Sequence, residues 1–501
     1  MDLLANLGMG FSVALNPTNL FWCFCGTLIG TIVGVLPGLG PIGAIALLLP
    51  ITYGLDPVAA LVMLAGIYYG SQYGGSTTAI LINLPGESSS LVTALDGHAM
   101  AKKGDAGAAL ATAAMGSFFA GTVATMLIAV LAPPLTAVAL SFGPPEYFSL
   151  MIFGLTLAIS LAQGSVIKAI GMTLFGILLG LIGRDIYTGQ LRFTFGSVDL
   201  VDGVSFVTIA VGIFAVGEVM RQLTGAGLGE PTTQRFSRLL LTREQFRRIV
   251  GPVLRGTGIG SLLGLLPGGG AVLSSFVSYS VEKRVSKNPS EFGHGAIEGV
   301  AGPEAANNAG AQTSFIPMLT LGIPSNPVMA LMIGALVIQG ITPGPKVITG
   351  EPAMFWGLIA SMWLGNLMLV VLNLPLVGLW ARLVSVPYTI LMPVILGIST
   401  IGVFSIGLSS FDVLMMAGIG MLGFILVKLD CEPAPLLLGF ILGPMLEEHL
   451  RRAMIVSRGE FSTFITHPIS AVLLVLSVIS LVLALRPANK KRREEIFADD
   501  A

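Results

Sequence analysis

The chain has 501 residues, of which 54% are apolar and only 11% charged, and its mean hydropathy is +0.87. A typical soluble domain carries about 25% charged residues, so this composition excludes a soluble globular protein and predicts an all-α membrane protein with many spans. The formal net charge of −1 identifies no partner, and the three cysteines form neither a disulfide framework nor a set of metal ligands.

The first half of the chain contains several apolar stretches. The first one is expected to stay in the mature chain, because no lysine or arginine precedes it as in a signal peptide. The shorter stretch 42–53 is predicted to form half of a re-entrant hairpin. Polar segments at 71–78 and 83–90 enclose too few apolar residues to cross a bilayer, so they predict another hairpin that dips into the membrane. The full spans predicted here are 18–36, 57–70, 107–131, 147–162, 165–183 and 204–220.

An arginine-rich segment at 221–255 separates the two halves. It contains seven arginines and no lysine, which is the strongest positive-inside signal in the chain and predicts a cytoplasmic location. The predicted domains are a first membrane half at 1–220, this linker, a second membrane half at 256–485 and a cytoplasmic charged tail at 486–501.

The second half begins with an apolar helix predicted at 256–281. The chain then passes through its most polar membrane-associated stretch, 282–312, and a short apolar piece at 316–323. The remaining spans are predicted at 326–340, 354–378, 388–407, 411–429, 434–447 and 468–485.

A sixteen-residue motif occurs twice, at Gly26–Pro41 and Gly256–Ala271, with nine identical positions at a constant offset of 230. Each copy starts as an apolar helix with glycines four residues apart and then reaches Pro-Gly-x-Gly, which an α-helix cannot absorb without unwinding. Broken backbone at membrane depth is tolerated where it lines a protein-enclosed cavity, and paired breaks of this kind indicate a transporter's binding site. Close helix packing alone would explain the glycines, but not the recurrence of Leu-Pro-Gly.

A weaker match extends this duplication. Residues 310–314 resemble 74–78, and Pro324-Ser325 resembles Pro85-Gly86, if a gap of about three residues is allowed. We therefore expect two homologous halves, arranged as inverted repeats with broken helices and re-entrant hairpins. In that arrangement a cytoplasmic linker before Gly256 requires the residues before Gly26 to be periplasmic.

Several long motifs resemble the large membrane subunit of the tripartite tricarboxylate transporters, and the similarity covers nearly the whole chain. The motifs that carry it are Leu36-Pro37-Gly38-Leu39-Gly40-Pro41, 73–80, Asp96-Gly97 with Lys102-Lys103-Gly104, 266–270 and 298–309. The resemblance implies a multi-pass permease of the bacterial inner membrane. Its implied partners are a small membrane subunit of about four helices, a periplasmic solute-binding protein, the lipid bilayer and a carboxylate substrate.

The resemblance also implies uptake coupled to a Na⁺ or H⁺ gradient, without a cofactor or a nucleic-acid partner. The residues agree, because no phosphate-binding loop for ATP is present. An enzyme is not expected, since neither a nucleophile elbow nor a His-x-x-x-His metal motif occurs. Two alternatives stay open at this point: a carboxylate or anion channel, and a secondary carrier that works without a binding protein.

The duplicated segments supply the candidate site. No lysine or arginine lies inside them, so an anion would be held by helix N-termini and by neighbouring hydroxyl and amide groups, while unwound carbonyls at Gly38 and Gly268 could coordinate Na⁺. For any single Ser or Thr, ordinary interhelical hydrogen bonding is the better interpretation, and it is their clustering that favours a binding site. The candidates are Pro37, Gly38, Gly40, Ser76, Thr77, Thr78, Asn83, Pro267, Gly268, Gly269, Gly270, Asn307, Asn308, Gln312, Thr313, Ser314, Ser325 and Asn326.

Four carboxylates adjoin the motifs: Glu87, Asp96, Glu298 and Glu304. Each could carry a proton or bind Na⁺, or could be a loop carboxylate at the membrane surface. The expected transport cycle is an elevator-like movement, in which the duplicated core moves rigidly past a scaffold formed by the other helices.

Overall fold

The computed structural model of the chain describes residues 3–36, 40–83, 86–162, 165–185, 187–224, 241–266, 270–383 and 388–485. Five of the candidate residues lie outside the described ranges, and so does the predicted tail at 486–501. These five are Pro37, Gly38, Pro267, Gly268 and Gly269.

The described part of the first half consists of helices, the turns between them and one short hairpin. Its helices are α1 Leu3–Ala14, α2 Pro17–Val35, α3 Gly40–Thr52, α4 Pro57–Ile82, α5 Leu91–Lys102, α6 Ala106–Ala139, α7 Pro144–Leu161, α8 Val166–Gly180, α9 Phe206–Val211 and α10 Gly217–Leu223. A π-helical turn, Gly212–Val216, joins α9 to α10, and the antiparallel strands β1 Gly183–Arg184 and β2 Leu191–Arg192 form the hairpin.

The described part of the second half is also helical. Its helices are α11 Arg243–Gly264, α12 Gly270–Val285, α13 Glu298–Thr313, α14 Phe315–Leu321, α15 Pro327–Ile338, α16 Lys346–Gly350, α17 Pro352–Asn373, α18 Val377–Leu383, α19 Tyr388–Gly407, α20 Ser410–Lys428, α21 Pro433–Val456, α22 Thr463–Thr466 and α23 Pro468–Leu485.

Seven helical segments among the described residues are long and apolar enough to cross a membrane, which confirms an all-α polytopic membrane protein. They are Pro17–Val35, Ala106–Ala139, Phe206–Leu223, Pro352–Asn373, Ile390–Gly407, Ser410–Lys428 and Pro468–Leu485. Four shorter apolar helices accompany them: α1, α3, α8 and α15.

The glycines of the duplicated motif lie in tight helix pairs. In the first half α2 packs along α4, and a methyl group on Gly34 would come within 2.3 Å of the Ser71 carbonyl oxygen. In the second half α11 packs along α13, and a methyl group on Gly264 would come within 2.5 Å of the Gly310 carbonyl oxygen. Only glycine allows backbones to approach this closely.

These contacts correspond between the halves at a constant offset. The pairs Gly26 with Met63, Gly30 with Ile67 and Gly34 with Ser71 match the pairs Gly256 with Gly302, Gly260 with Ala306 and Gly264 with Gly310. The partner residues therefore differ by 302 − 63 = 239, and the left-handed caps of α4 and α14, Asn83 and Gly322, differ by the same 322 − 83 = 239. Pro85 and Pro324 also differ by 239, so the alignment of the two halves continues to these prolines without a gap.

The predicted break at 71–78 is wrong, because α4 continues through it as one helix of 26 residues. Four hydroxyl side chains in this segment are compatible with the helix, because each can donate to a backbone carbonyl three or four residues earlier. They belong to Ser71, Ser76, Thr77 and Thr78. These hydroxyls therefore do not break α4. Between them, Gly74 packs against α2, whereas Gly75 faces Glu87.

Two other boundaries differ from the sequence prediction. Helix α6 runs for 34 residues through Pro133 and Pro134, where we expected a span to end. Helix α11 begins at Arg243, with Thr242 and Gln245 forming a capping box, so the predicted helix at 256–281 starts earlier and is interrupted after Gly264.

The outer helices form their own pairs. Helix α7 packs with α23, α8 packs with α21, and α20 packs against the π-helical turn Gly212–Val216. Glycines again mediate the contacts, as where a methyl group on Gly176 would overlap the Leu436 carbonyl oxygen.

Candidate functional site

Two reciprocal hydrogen bonds join the halves at the centre of the molecule. The Asn326 amide donates to the Tyr68 hydroxyl over 3.4 Å, and the Asn307 amide donates to the Glu87 carboxylate over 3.4 Å. Since 68 + 239 = 307 and 87 + 239 = 326, each contact is the counterpart of the other with the halves exchanged. Contacts of this form are expected where two equivalent units meet about a two-fold axis.

The segments after α4 and α14 fold back against their own helices in the same way. Asn326 donates to the Ser314 hydroxyl over 3.1 Å, and the Ser325 hydroxyl donates to the Ser314 carbonyl over 3.2 Å. In the first half the counterpart of Ser314 is Gly75, and a methyl group there would lie 3.0 Å from Glu87 Cγ. Both segments thus turn back toward the centre.

Two helix N-termini begin beside these segments. Gly40 starts α3 with φ of +56° and Gly270 starts α12 with φ of +50°, a left-handed conformation that glycine adopts readily. A methyl group on Gly40 would lie 3.8 Å from the Gly86 carbonyl oxygen, and one on Gly270 would lie 3.3 Å from the Asn326 side chain. Helix N-termini carry partial positive charge and unpaired amides, which are suited to binding an anion.

A second polar cluster surrounds the buried carboxylate of Glu304 in α13. Ser76 Oγ of α4 lies 2.8 Å from both carboxylate oxygens, Thr93 of α5 donates to Oε1, and Ser117 of α6 donates to Oε2 over 3.4 Å. The Asn308 amide donates to Ser117 over 2.6 Å and to the Glu304 carbonyl over 3.1 Å. One carboxylate from the second half is therefore held by three hydroxyls from the first.

A small cavity adjoins this cluster, with about 10 Å³ open to the centre of a water molecule. That is room for about one water. Its polar lining includes Tyr73, Ser76, Thr77, Glu304 and Asn373. The Oδ1 atom of Asn373 is buried there, and no residue in the described part of the chain forms a hydrogen bond with it.

Two further hydrogen bonds anchor the central helices to α6 and α17. Tyr73 donates to Asn366 Oδ1 over 2.8 Å, and Thr125 donates to Gln312 Oε1 over 2.8 Å. Tyr73 and Gln312 are again counterparts at 312 − 73 = 239.

The structure thus brings together ten of the predicted site residues in these two clusters and at their edges. They are Gly40, Ser76, Thr77, Gly270, Asn307, Asn308, Gln312, Ser314, Ser325 and Asn326.

Three other candidates do not contribute side chains to the clusters. Asn83 is exposed and caps the end of α4. The hydroxyls of Thr78 and Thr313 donate to carbonyls of their own helices, at Gly75 and Ala309.

The four carboxylates flanking the motifs separate into two groups. Glu87 and Glu304 belong to the central clusters. Asp96 is fully buried, but it accepts hydrogen bonds from Tyr279 and from backbone amides at 293, 295 and 296, which makes it a cap of the loop before α13. Glu298 is paired with the exposed Arg248.

The sequence analysis missed several residues that complete the clusters. They are Tyr68, Thr93, Ser117, Thr125, Asn366 and Asn373. Asn366 and Asn373 lie in the largely apolar sequence of α17. An isolated amide inside an apolar span, such as Asn366 in α17, is a usable signal, because polar groups at membrane depth face the protein interior.

Comparison with known proteins finds relatives over the whole chain. The chain is 62% identical over 500 residues, covering 100% of both chains, to an uncharacterized 52.8 kDa protein in the TAR-I ttuC' 3'region of Agrobacterium vitis. It is 63% identical over 241 residues to an uncharacterized protein in the TAR-II ttuC' 3'region of the same organism, covering 48% of this chain and 100% of that protein. No solved structure matches the chain significantly.

The profile of the tripartite tricarboxylate transporter TctA family matches residues 20–438. That range includes both glycine motifs, both central clusters and most of the outer helices. It describes a family of transporters and not of enzymes. The chain is therefore a member of the tripartite tricarboxylate transporter TctA family.

Proposed function

We propose that this protein is the permease of a binding-protein-dependent system that takes up a di- or tricarboxylate, or a related organic acid, across the bacterial inner membrane. The observation that carries the proposal is the convergence of two helix N-termini, at Gly40 and Gly270, on reciprocal hydroxyl and amide groups between the halves. A carboxylate can be bound there by amides and partial charges, without the cost of burying a lysine or arginine.

The halves act in this proposal as inverted repeats. Glu87 lies at the level of Gly75 and contacts Asn307, while Asn326 lies at the level of Ser314 and contacts Tyr68. Gly75 follows Tyr68 by seven residues, about 10 Å along a helix, and Ser314 follows Asn307 by seven as well. Both contacts form together only if α4 and α13 run in opposite directions, which supports an inverted arrangement.

Inverted repeats place the N-terminus opposite the arginine-rich linker. In a chain whose native cysteines are replaced, a cysteine at Asn6 should react with an impermeant maleimide from the periplasmic side. Labelling from the cytoplasmic side alone would contradict the inverted arrangement.

Transport in this proposal is a rigid, elevator-like movement of the duplicated core past the outer helices. The separate packing of α7 with α23 and of α8 with α21 supports such a division. The driving force is a Na⁺ or H⁺ gradient, and the proposed ligands for Na⁺ are the backbone carbonyls of Gly38 and Gly268.

The tripartite assembly is tested by reconstitution. Proteoliposomes that contain this chain, the small membrane subunit and the cognate binding protein should take up the carboxylate that the binding protein retains. Vesicles with this chain alone should take it up at least tenfold more slowly. Equal rates would contradict the dependence on partners and would favour a carrier that works alone.

A further inference from the structure

Glu304 is fully buried, and the side chains that form hydrogen bonds with its carboxylate are neutral, unlike those at the buried carboxylates of Asp185 and Glu282. Among the residues that the structure describes, Asp185 and Glu282 form ion pairs with arginine, whereas Glu304 has none. Three neutral hydroxyls are its side-chain partners, and its side chain is fully buried. An ionised carboxylate in such surroundings is costly unless a cation accompanies it.

The cluster can bind a proton on Glu304 without the displacement of any heavy atom. Ser76 Oγ lies 2.8 Å from both carboxylate oxygens and 2.9 Å from the Gln72 carbonyl oxygen. When Glu304 is ionised, the Ser76 hydroxyl donates to the carboxylate. When Glu304 is protonated, its own O–H donates to Ser76 Oγ, and the Ser76 hydrogen turns to the Gln72 carbonyl. One rotating hydroxyl therefore satisfies both states.

The adjoining cavity leaves a water-sized space beside the Glu304 carboxylate. It has room for about one water, and Asn373 Oδ1 on its wall has no hydrogen-bond partner among the described residues. Asn373 is 5% exposed, so this acceptor is buried with Glu304 and not satisfied by bulk solvent.

The acid is also absent from the equivalent place in the other half. At the offset of 239, the counterpart of Glu304 is Ala65 and that of Ser76 is Phe315. The packing of α2 on α4 thus forms without a carboxylate, so the fold does not require one here.

Other titratable groups face α13 from its neighbours. Glu87 is near enough to interact electrostatically with Glu304, and so is Tyr73 of α4. Asp96 of α5 lies against Gly299, and Glu282 of α12 lies against Gly302, but the first is capped by amides and the second is paired with Arg255.

We propose that Glu304 carries the coupling proton of this permease, binding it through the Ser76 hydroxyl relay and releasing it as the core moves. The proposal rests on the proposed function for its role in transport, but proton binding at Glu304 can be measured without a substrate. In each cycle the Glu304 carboxylate takes the proton from water on the periplasmic side and releases it to water on the cytoplasmic side. The ionised carboxylate is thereby restored.

Infrared difference spectroscopy on the full chain in lipid vesicles, between high and low pH, tests proton binding directly. The wild type should show a carboxylic acid carbonyl stretch that titrates, and Glu304→Gln should lack it. Glu298→Gln, on the same helix but at the surface, should retain it, and Ser76→Ala should shift its frequency and midpoint. The same band in wild type and Glu304→Gln would overturn the proposal, as would a carboxylate band that responds to Na⁺ and not to pH.

Transport in the complete three-component system gives the second readout. The probe is the carboxylate that is eluted from the binding protein. In Glu304→Gln, the rate of uptake driven by a pH gradient should fall at least tenfold, while carboxylate exchange should be retained. Glu304→Asp should recover part of the uptake. Undiminished gradient-driven uptake in Glu304→Gln would refute the inference, whereas a titrating wild-type band without any carboxylate uptake would refute the proposed function instead.

Discussion

Gly258 and Gly264 lie on the same helix, but only one of them has room for a side chain. A methyl group on Gly264 would come within 2.1 Å of Thr313 Oγ1 and 2.5 Å of the Gly310 carbonyl oxygen, while one on Gly258 would meet nothing within 4 Å. The Gly310 backbone cannot move aside as a flexible side chain could. Comparing substitutions at Gly264 and Gly258 therefore separates the effect of packing from that of composition.

We expect Gly264→Val to abolish uptake and to lower the free energy of unfolding by at least the 1–3 kcal/mol that is typical of overpacked cores. Gly258→Val is the matched control and should change both quantities little. Thermal unfolding in detergent and uptake in vesicles provide the measurements. Wild-type behaviour of Gly264→Val would show that α11 and α13 are not in contact as described.

The paired anchors Tyr73–Asn366 and Thr125–Gln312 allow a second test at the residue scale. Tyr73→Phe would leave the Asn366 oxygen without this donor, and Thr125→Val would do the same to Gln312. Each substitution should cost about 1–3 kcal/mol of unfolding free energy, the usual penalty for a buried group left unsatisfied.

Thr173→Val is the control for these anchors, because the Thr173 hydroxyl donates only within its own helix, to Ala169. It should cost clearly less than either anchor substitution. Equal costs for all three variants would mean that the contacts between helices contribute nothing specific.

At the scale of elements, Asp185 ties the β1–β2 hairpin to α21. Desolvation alone would raise the pKa of Asp185, but hydrogen bonds from the Tyr187 amide and the Arg192 guanidinium hold the pKa of this carboxyl well below its usual range. Arg451 of α21 lies 3.1 Å from the same carboxylate. The ionised form is therefore favoured in the folded protein.

A lowered pKa contributes stability that is complete above the unfolded value of about 3.9 and is lost as the pH falls through the folded value. Asp185→Asn should therefore lower the melting temperature by a constant amount from pH 7 to about pH 5, and the difference from wild type should shrink below about pH 4. Asp199→Asn, an exposed change in the same connector, should show no such trend. A difference that widened on acidification would contradict this assignment.

The elements show which parts of the fold are readable from sequence. The spans at 388–407 and 468–485 match α19 and α23 because both are apolar on nearly all sides and bounded by polar residues or proline. The break predicted at 71–78 fails because hydroxyls that usually favour turns satisfy themselves inside α4, where packing against α2 decides the conformation.

The site was only partly predictable for a related reason. Its glycine motifs are visible because close backbone approach demands glycine in both halves. The reciprocal pairs are not visible, since Tyr68 corresponds to Asn307 and Glu87 to Asn326, and the counterparts share no chemistry that an alignment would detect. Only the contacts between helices establish the offset of 239.

Across the whole molecule, apolar residues cover the outer helices, and polar residues are buried between the two halves. The outer helices are exposed and apolar, as α23 illustrates with Val472, Val475 and Val478 facing outward. The polar groups gather where the two halves meet. Burying such groups costs stability. Membrane proteins therefore retain them mainly along substrate and ion pathways.

Substrate accumulation shows whether this protein couples carboxylate movement to an ion gradient. In vesicles with all three components and no ATP, an imposed Na⁺ or H⁺ gradient should raise the internal carboxylate concentration above the external one, and an ionophore that collapses the gradient should release it. A channel cannot do this. An internal concentration that never exceeds the external one, with or without the gradient, would contradict the account.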